Sequence, residues 1–283
     1  MEQALQVFAG GTAVITGAGS GIGEGLARVA ARLGMNVVLA DIAIDRAQAV
    51  ADKIVAAGGK ALAVKTDVTQ VADLEALADA AYDTYGEVTL AINNAGIETL
   101  GYSWELSDEA WDRSIDINIR GVVHGSRVFA RRMIAAGTKG HIANVASIGA
   151  LGMMPTQTAY IMAKHAILSF TECLFLEMEL AKAPIQVSVV VPAPVKSRIF
   201  DDAATAQGSD LVSRQRAKMQ AMLRESGLTP EQAGEAILNG LATGEFWVST
   251  DAGTTAFMAR RRADYLAQQA TPTLAEEARA LVE

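Results

Sequence analysis

Tyr160 and Lys164 stand four residues apart in TQTAYIMAKHAILSFTECLFLEMELA, a run from about Thr156 with helical periodicity and good helix formers. In a helix the two side chains share one face. Ser147 follows HIANVA (His141–Ala146), a short apolar run that reads as a buried parallel strand, so its hydroxyl falls where that strand ends. A hydroxyl, a phenol and an ammonium can therefore converge on one point. A phenol titrates near ~10 and carries protons poorly at neutral pH unless its surroundings change that. A fixed cation beside it favours the phenolate, each tenfold gain in acidity requiring about 1.4 kcal/mol, and Lys164 is placed to supply that charge. Taken alone, Tyr-x-x-x-Lys is an ordinary pattern on an amphipathic helix. The elements around it decide the matter.

The 283 residues are 51% apolar and 20% charged, which suits a globular enzyme with one large core. The net charge of −8 argues against non-specific nucleic-acid binding. MEQALQVFAGG has neither the basic start nor the apolar core of a secretory signal, and runs such as VSVVV (Val187–Val191) are too short to span a bilayer. A cytoplasmic protein with no membrane and no nucleic-acid partner is expected. The lone Cys173 excludes an internal disulfide and reads as a packed thiol, and His124, His141 and His165 show no metal-ligand spacing.

Along the chain, the β-prone run Thr12–Ile15 leads into TGAGSGIGEGLARVAARLG, a strand, a glycine-rich turn and a helix ending near Gly34. Gly17, Gly21 and Gly23 let backbone turn sharply and approach a ligand, and the helix N-terminus beyond them suits a pyrophosphate. NVVLADI is a second strand ending in Asp41, about twenty residues on, where a carboxylate can hold the adenosine ribose hydroxyls. A helix opened by Asp45 runs to about Ala57. ALAVKT is a third strand, with Asp67 and Val68 beyond it to flank an adenine, and a helix spans about Val71 to Tyr85. TLAIN is a fourth strand running into Asn93, Asn94, Ala95 and Gly96, a floor beneath a cofactor. Strands alternating with helices predict an α/β fold, a Rossmann-like doubly wound parallel sheet of about seven strands with helices on both faces. Ligands then bind at the strands' carboxyl ends. Residues Asp108 to Ala136 read as one long helical region with Asn118 near its middle, an unusual choice among Ile115, Ile117 and Ile119. IQVSVVV (Ile185–Val191) is the sixth strand of the sheet and EFWVST the last. No linker or repeat divides 1–283, so one catalytic domain is expected, with a variable lid at about 196–228 and a helical tail at about 252–283.

Together TGAGSGIG (Thr16–Gly23), Asp67, NNAG (Asn93–Gly96), Asn118, Ser147 and the Tyr160/Lys164 pair resemble the short-chain dehydrogenase/reductase family in its compact, single-domain form. The thirteen-residue spacing from Ser147 to Tyr160 is the family's usual one, and the resemblance covers about Val7 to Val195. It implies that Tyr160 is the general acid/base, that Lys164 lowers the phenol's pKa and holds the nicotinamide ribose, that Ser147 hydrogen-bonds the substrate oxygen, and that Asn118 holds a water linking Lys164 to solvent. It further implies a dinucleotide site made of Gly17, Ser20, Gly21, Ile22, Gly23, Asp41, Asp67, Val68, Asn94, Ala95, Gly96, Pro192 and Val195 as well as Tyr160 and Lys164. One departure concerns the loop beside the nicotinamide: the family's Pro-Gly is here Pro192-Ala193, and Ala tolerates fewer conformations.

The cofactor expected is NAD. A 2′-phosphate of about −1.5 to −2 charges would face Asp41, and no Arg or Lys is evident nearby, Ser20 sitting in the glycine loop and Ile42 following Asp41. The expected substrate wall draws on Ser147, Ile148, Leu151, Met153, Met154, Tyr160, Ile199 and Phe200, with Met219 and Met222 from the lid and Trp104 nearby. Such a wall favours a bulky, uncharged secondary alcohol or ketone. Apolar residues on more than one side of the two long helices predict a homodimer or homotetramer, which the resemblance also implies. The alternatives are an NADP-dependent carbonyl reductase and a non-catalytic dinucleotide-binding regulatory protein; a sugar-nucleotide epimerase fits less well.

Overall fold

The computed structural model describes residues 1–137, 139–205, 210–274, 276 and 279–280. In chain order its elements are α1 (Glu2–Phe8), β1 (Thr12–Thr16), α2 (Gly21–Arg32), β2 (Asn36–Asp41), α3 (Ile44–Ala56), β3 (Lys60–Lys65), α4 (Val71–Tyr85), β4 (Leu90–Asn93) and β5 (Thr99–Leu100). They continue with α5 (Asp108–Ile115), α6 (Gly121–Ala136), β6 (Gly140–Val145), α7 (Thr158–Leu180), β7 (Ile185–Val191), β8 (Ala204–Thr205), α8 (Asp210–Ser226), α9 (Pro230–Ala242), β9 (Trp247–Ser249) and α10 (Ala252–Ala267).

Seven strands form one sheet in the order β3-β2-β1-β4-β6-β7-β9, parallel at every pairing. This is the Rossmann-like α/β sheet expected from the alternation of strands and helices. β1 and β6 are buried at all positions, because helices cover both faces and neither strand needs a polar side. Alternate strand residues feed opposite layers. Ala13 and Ile15 join Leu26, Ala30 and Leu238 of α2 and α9, whereas Val14 and Ile142 meet Leu74, Phe129 and Met133 of α4 and α6. The chain order reverses between β1 and its neighbours β2 and β4, so a crevice opens at the carboxyl ends there.

Three local features depart from the sequence reading. The expected helix over 108–136 is two helices joined by a π turn, Asp116–Arg120, and Asn118 sits in that turn. One extra residue in the turn swings the Asn118 side chain inward, where it is fully buried. α7 starts at Thr158, because Thr156 has φ 66 and a left-handed residue cannot lie inside a helix. α1 and the two-stranded pair β5–β8 carry too few residues to signal themselves, and their strands gain a partner only through the tertiary fold. Of the expected lid, residues 206–209 lie outside the described residues; the rest is a turn-rich segment, β8 and α8. Of the expected tail, α10 is helical and residues 275, 277–278 and 281–283 lie outside the described residues.

Among the described residues one helix, α7, is long and apolar enough to cross a membrane by length and composition. Here Ala163, Ile167, Thr171 and Leu174 are buried on its inner face, which also carries the buried Lys164.

Candidate active site

A cavity of about 1230 Å³ runs along the carboxyl ends of the strands from Asp41 to Met258. That exceeds the ~300–1,000 Å³ of common small-molecule sites and leaves room for a dinucleotide and a second ligand. Gly17, Ser20, Gly21, Ile22, Asp41, Asp67, Val68, Asn94, Ala95, Gly96, Pro192 and Val195 all line it. Gly23 does not: a Cβ there would meet the Gly17 carbonyl oxygen at 2.1 Å, so this glycine lets the loop close on its own helix.

The fit of a dinucleotide can be tested on these residues. Gly17 has φ +65, and a Cβ on it would meet Ala95 Cα at 2.9 Å, so a side chain would both strain the turn and fill the crevice. Ser20 makes no side-chain hydrogen bond to the first turn of α2, which leaves that turn's N–H groups free for an anion. At the far end Asp41 is held rigidly: Oδ2 accepts from Gly19 N at 2.9 Å and Oδ1 from Ala43 N at 2.9 Å. Oriented in this way, its remaining lone pairs suit ribose hydroxyls. The cradle fits the group.

Arg46 corrects the expectation that no cation lies near Asp41. It lines the cavity, and its Cβ crowds the same Gly19 position as the Asp41 carboxylate. An ion pair to Asp202 at 3.3 Å engages the guanidinium. The sequence hid it because Arg46 is one turn into α3, five residues beyond Asp41.

Ser147, Tyr160 and Lys164 meet at the cavity's other end. Ser147 hydrogen-bonds the Tyr160 phenol and accepts from Gly149 N at 3.0 Å. Lys164 is 4% exposed and donates from Nζ to the Val145 carbonyl at 3.0 Å, with Nζ 5.4 Å from the Tyr160 ring centre. The electrostatics differ from the sequence expectation. Burial raises the Tyr160 pKa, and the Glu98 carboxylate raises it further; only the Ser147 hydrogen bond works the other way. Burial likewise pushes Lys164 down to about 8, against support from Glu98. Desolvation therefore outweighs any benefit of the ammonium to the phenolate.

Asn118 lies beneath the cavity and does not line it. Its Oδ1 accepts from Ile97 N at 2.9 Å, and its Nδ2 donates to Ile97 O at 3.0 Å and Ser114 Oγ at 3.3 Å. In this arrangement Asn118 clamps the loop after NNAG. Ala193 N donates to Thr250 Oγ1 at 2.9 Å, and Ala193 is absent from the positive-φ residues, so this loop needs no glycine.

Ile148, Met153, Met154, Ile199, Phe200, Met219 and Met222 line the same cavity. Leu151 packs in the core, and Trp104 is 80% exposed, stacked on Tyr102 outside the cavity. Met258 of α10 adds to the wall. So do Glu98 and Gln157, two buried polar residues that belong to none of the sequence motifs. The signal for Glu98 was a lone acid in the apolar run GIETLG. Among the described residues no cluster of His, Cys, Asp and Glu could hold a metal.

The sequence model of the family described as short chain dehydrogenase matches residues 11–208. SadH of Mycobacterium tuberculosis is 37% identical over 245 residues, 85% of this chain and 86% of that protein. A cyclohexanol dehydrogenase of Acinetobacter sp. strain SE19 is 38% identical over 196 residues, 69% of this chain and 77% of its own. Among solved structures, a short-chain dehydrogenase/reductase of Burkholderia phymatum in complex with NAD superposes with a TM-score of 0.89 at 34% identity, covering 94% of this chain and 98% of that one.

Proposed function

The chain belongs to the short-chain dehydrogenase family of oxidoreductases, and we propose that it is an NAD-dependent dehydrogenase of bulky, uncharged secondary alcohols, or reductase of the matching ketones. The observation that carries this is the convergence of Ser147, Tyr160 and Lys164 on a cavity continuous with the glycine loop and walled by methionine, isoleucine and phenylalanine. The resemblance to a cyclohexanol dehydrogenase supports the substrate class.

When bound, the nicotinamide ring accepts or supplies the hydride. The chain's own residues do the rest. Ser147 holds the alcohol oxygen by a hydrogen bond. Tyr160, as phenolate, accepts the hydroxyl proton as the carbinol carbon loses its hydride, and in ketone reduction the neutral phenol returns it. Lys164, anchored on the Val145 carbonyl with Nζ 5.4 Å from the Tyr160 ring centre, brings a positive charge to the ribose side and opposes part of the cost of the phenolate. The first turn of α2 and Asp41 bind pyrophosphate and ribose. Met153, Met154, Ile199 and Phe200 exclude water from the reacting carbon. The described residues of the segment, 196–205 and 210–228, serve as a lid over the cavity, within one catalytic domain, and the enzyme works in the cytoplasm.

Reduction of NAD in the presence of cyclohexanol and a panel of larger alcohols tests the activity, with Tyr160→Phe as the control. Turnover with the parent and a loss of about 10²–10⁴-fold in the variant are expected. Comparable activity in Tyr160→Phe, or a clear preference for polyols or hydroxy acids, would sink the proposal. A second reading, NADP dependence, draws on Arg46 alone: a guanidinium at the ribose end can pair with a 2′-phosphate if it leaves Asp202.

A further inference from the structure

Beside the catalytic pair lies a carboxyl group that the reaction described above does not use. Glu98 is 1% exposed, follows the NNAG floor, and borders the cavity next to Tyr160 and Lys164. Its Oε1 accepts from Thr99 N at 3.0 Å and its Oε2 from Gln157 Nε2 at 2.8 Å. Its own carbonyl accepts from Ala204 N of β8 at 3.2 Å, tying it to the lid segment. The partner's position is also costly. Thr156, next to Gln157, is a β-branched residue at φ 66, held by its carbonyl to Gly101 N at 2.8 Å and by its hydroxyl to the buried Gln215 of α8. A strained residue locked from two sides marks a place where the fold gives up stability for geometry.

We propose that Glu98 is a third ionisable group of the catalytic centre, a positioning residue held by Gln157 that controls proton transfer at Tyr160. Gln157 is the partner this role needs, since a carboxamide donates to a carboxylate through its NH₂ and accepts from a carboxylic acid through its oxygen. Either charge state of Glu98 is then satisfied in place, without exposure to water. Burial pushes the Glu98 carboxyl up to about 8, opposed by Thr99 N, Gln157 and Lys164. Tyr160 and Lys164 of α7 respond to that charge. β5 and β8 bring no ionisable side chain, and α8 presents the neutral Gln215. Elsewhere on the cavity wall stand Glu109, Asp112, Arg113 and Asp116, with Arg198 paired to Asp202.

The consequence has a definite sign. Removing a buried negative charge makes every neighbouring proton easier to lose. Whichever of Tyr160 and Lys164 governs the acid limb of alcohol oxidation, Glu98→Gln moves that limb to lower pH. The displacement expected is about one pH unit at an effective dielectric near ~20.

The inference rests on Tyr160 being the proton acceptor, and the experiment separates the two. The pH dependence of kcat/KM for cyclohexanol oxidation with NAD is measured for the parent, Glu98→Gln, Glu98→Asp, Gln157→Leu and Tyr160→Phe, with melting temperatures recorded beside it. Glu98→Gln should displace the acid limb of kcat/KM downward. Gln157→Leu should move it the same way by less, and Glu98→Asp, which keeps the charge, should restore the parental limb. A limb that stays put or rises in Glu98→Gln overturns the proposal, as does an Asp variant displaced as far as the Gln variant. If Tyr160→Phe retains activity, the catalytic assignment itself fails. If it is inactive while Glu98→Gln behaves as the parent, only the role of Glu98 fails. Should Glu98→Gln not fold, the Gln157→Leu limb decides, with no displacement counting against the proposal.

Discussion

At the scale of single residues, placement and charge separate what each group contributes. Asp41 is pinned by two backbone N–H groups, so its carboxylate cannot turn away from a 2′-phosphate. Two unit charges ~4 Å apart at an effective dielectric near 20 repel by about 4 kcal/mol, and a third of that is tenfold discrimination. Asp41→Asn should therefore lower the NAD:NADP ratio of kcat/KM by about tenfold or more. Parallel kinetics with the two dinucleotides check this, and an unchanged ratio would show that Asp41 does not read the ribose. His141, by contrast, belongs to the core. Its Nε2 lies 2.8 Å from Ser188 Oγ, which donates its own proton to the Glu245 carbonyl, so the ring is the donor to Ser188. Burial lowers its pKa to about 4 from 6.5. A base depressed in the folded state contributes stability above its unfolded pKa, and that contribution is lost as pH falls from about 6.5 toward 4. The loss is about 3 kcal/mol. Urea midpoints across this range should fall more steeply for the parent than for His141→Gln; equal slopes would remove His141 as the cause.

At the scale of elements, the active site depends on two close contacts that reach a backbone. α2, whose first turn faces the dinucleotide cradle, crosses α9 at Gly25 and Gly234, where a Cβ on Gly25 would meet the Pro230 carbonyl oxygen at 1.8 Å. Backbone cannot yield as a flexible side chain does. Gly25→Ala should cost about 1–3 kcal/mol by overpacking, read as a lower denaturant midpoint, and weaken NAD binding as α2 shifts. A fully stable variant would mean that the two helices can separate without penalty. The second contact is the π turn before α6. It aims Asn118 at both backbone groups of Ile97, the residue before Glu98. Asn118→Ala leaves the half-buried N–H and C=O of Ile97 without their side-chain partner, at a cost of up to about 1–3 kcal/mol. Turnover and melting temperature should fall together in this variant; a loss of turnover at full stability would point to a direct part in proton transfer instead.

At the scale of the whole molecule, the surface left uncovered by the sheet and its helices is uneven. Beyond Thr171, α7 buries one side only, and Leu176 and Leu180 on the other are 61% and 85% exposed. Phe175, Phe246 and Trp247 extend this side as a chain of edge-to-face rings. Patches of this kind mark contact surfaces on proteins in water. We propose that a second copy of the chain covers it. Light scattering at micromolar concentration should give two or four times the mass of one chain, and Leu176→Glu with Leu180→Glu should halve that value or more. A monomeric parent would end the proposal.

Legible in the sequence were the alternation of strands and helices, the glycine turn, Asp41 at a strand end, and the line of residues along one crevice. These are local: each follows from side-chain periodicity, from glycine in a turn, or from a four-residue helical spacing, and neighbours along the chain are enough to specify them. Ser147, Tyr160 and Lys164 were legible for the same reason. Packing in three dimensions settled what depends on residues distant in sequence. It set Arg46 beside Gly19 and paired it with Asp202 at the Asp41 end of the cavity, and it replaced one long helix with two around a π turn. It also left Trp104 outside the cavity while bringing Met258 in from α10. Above all it set the charges. Spacing shows which groups can approach each other, but a pKa depends on how much water remains around them and which other charges are buried alongside. Spacing alone therefore credits Lys164 with lowering the Tyr160 pKa, whereas burial and the unanticipated Glu98 raise it, because desolvation is a property of the packed fold and not of any stretch of chain.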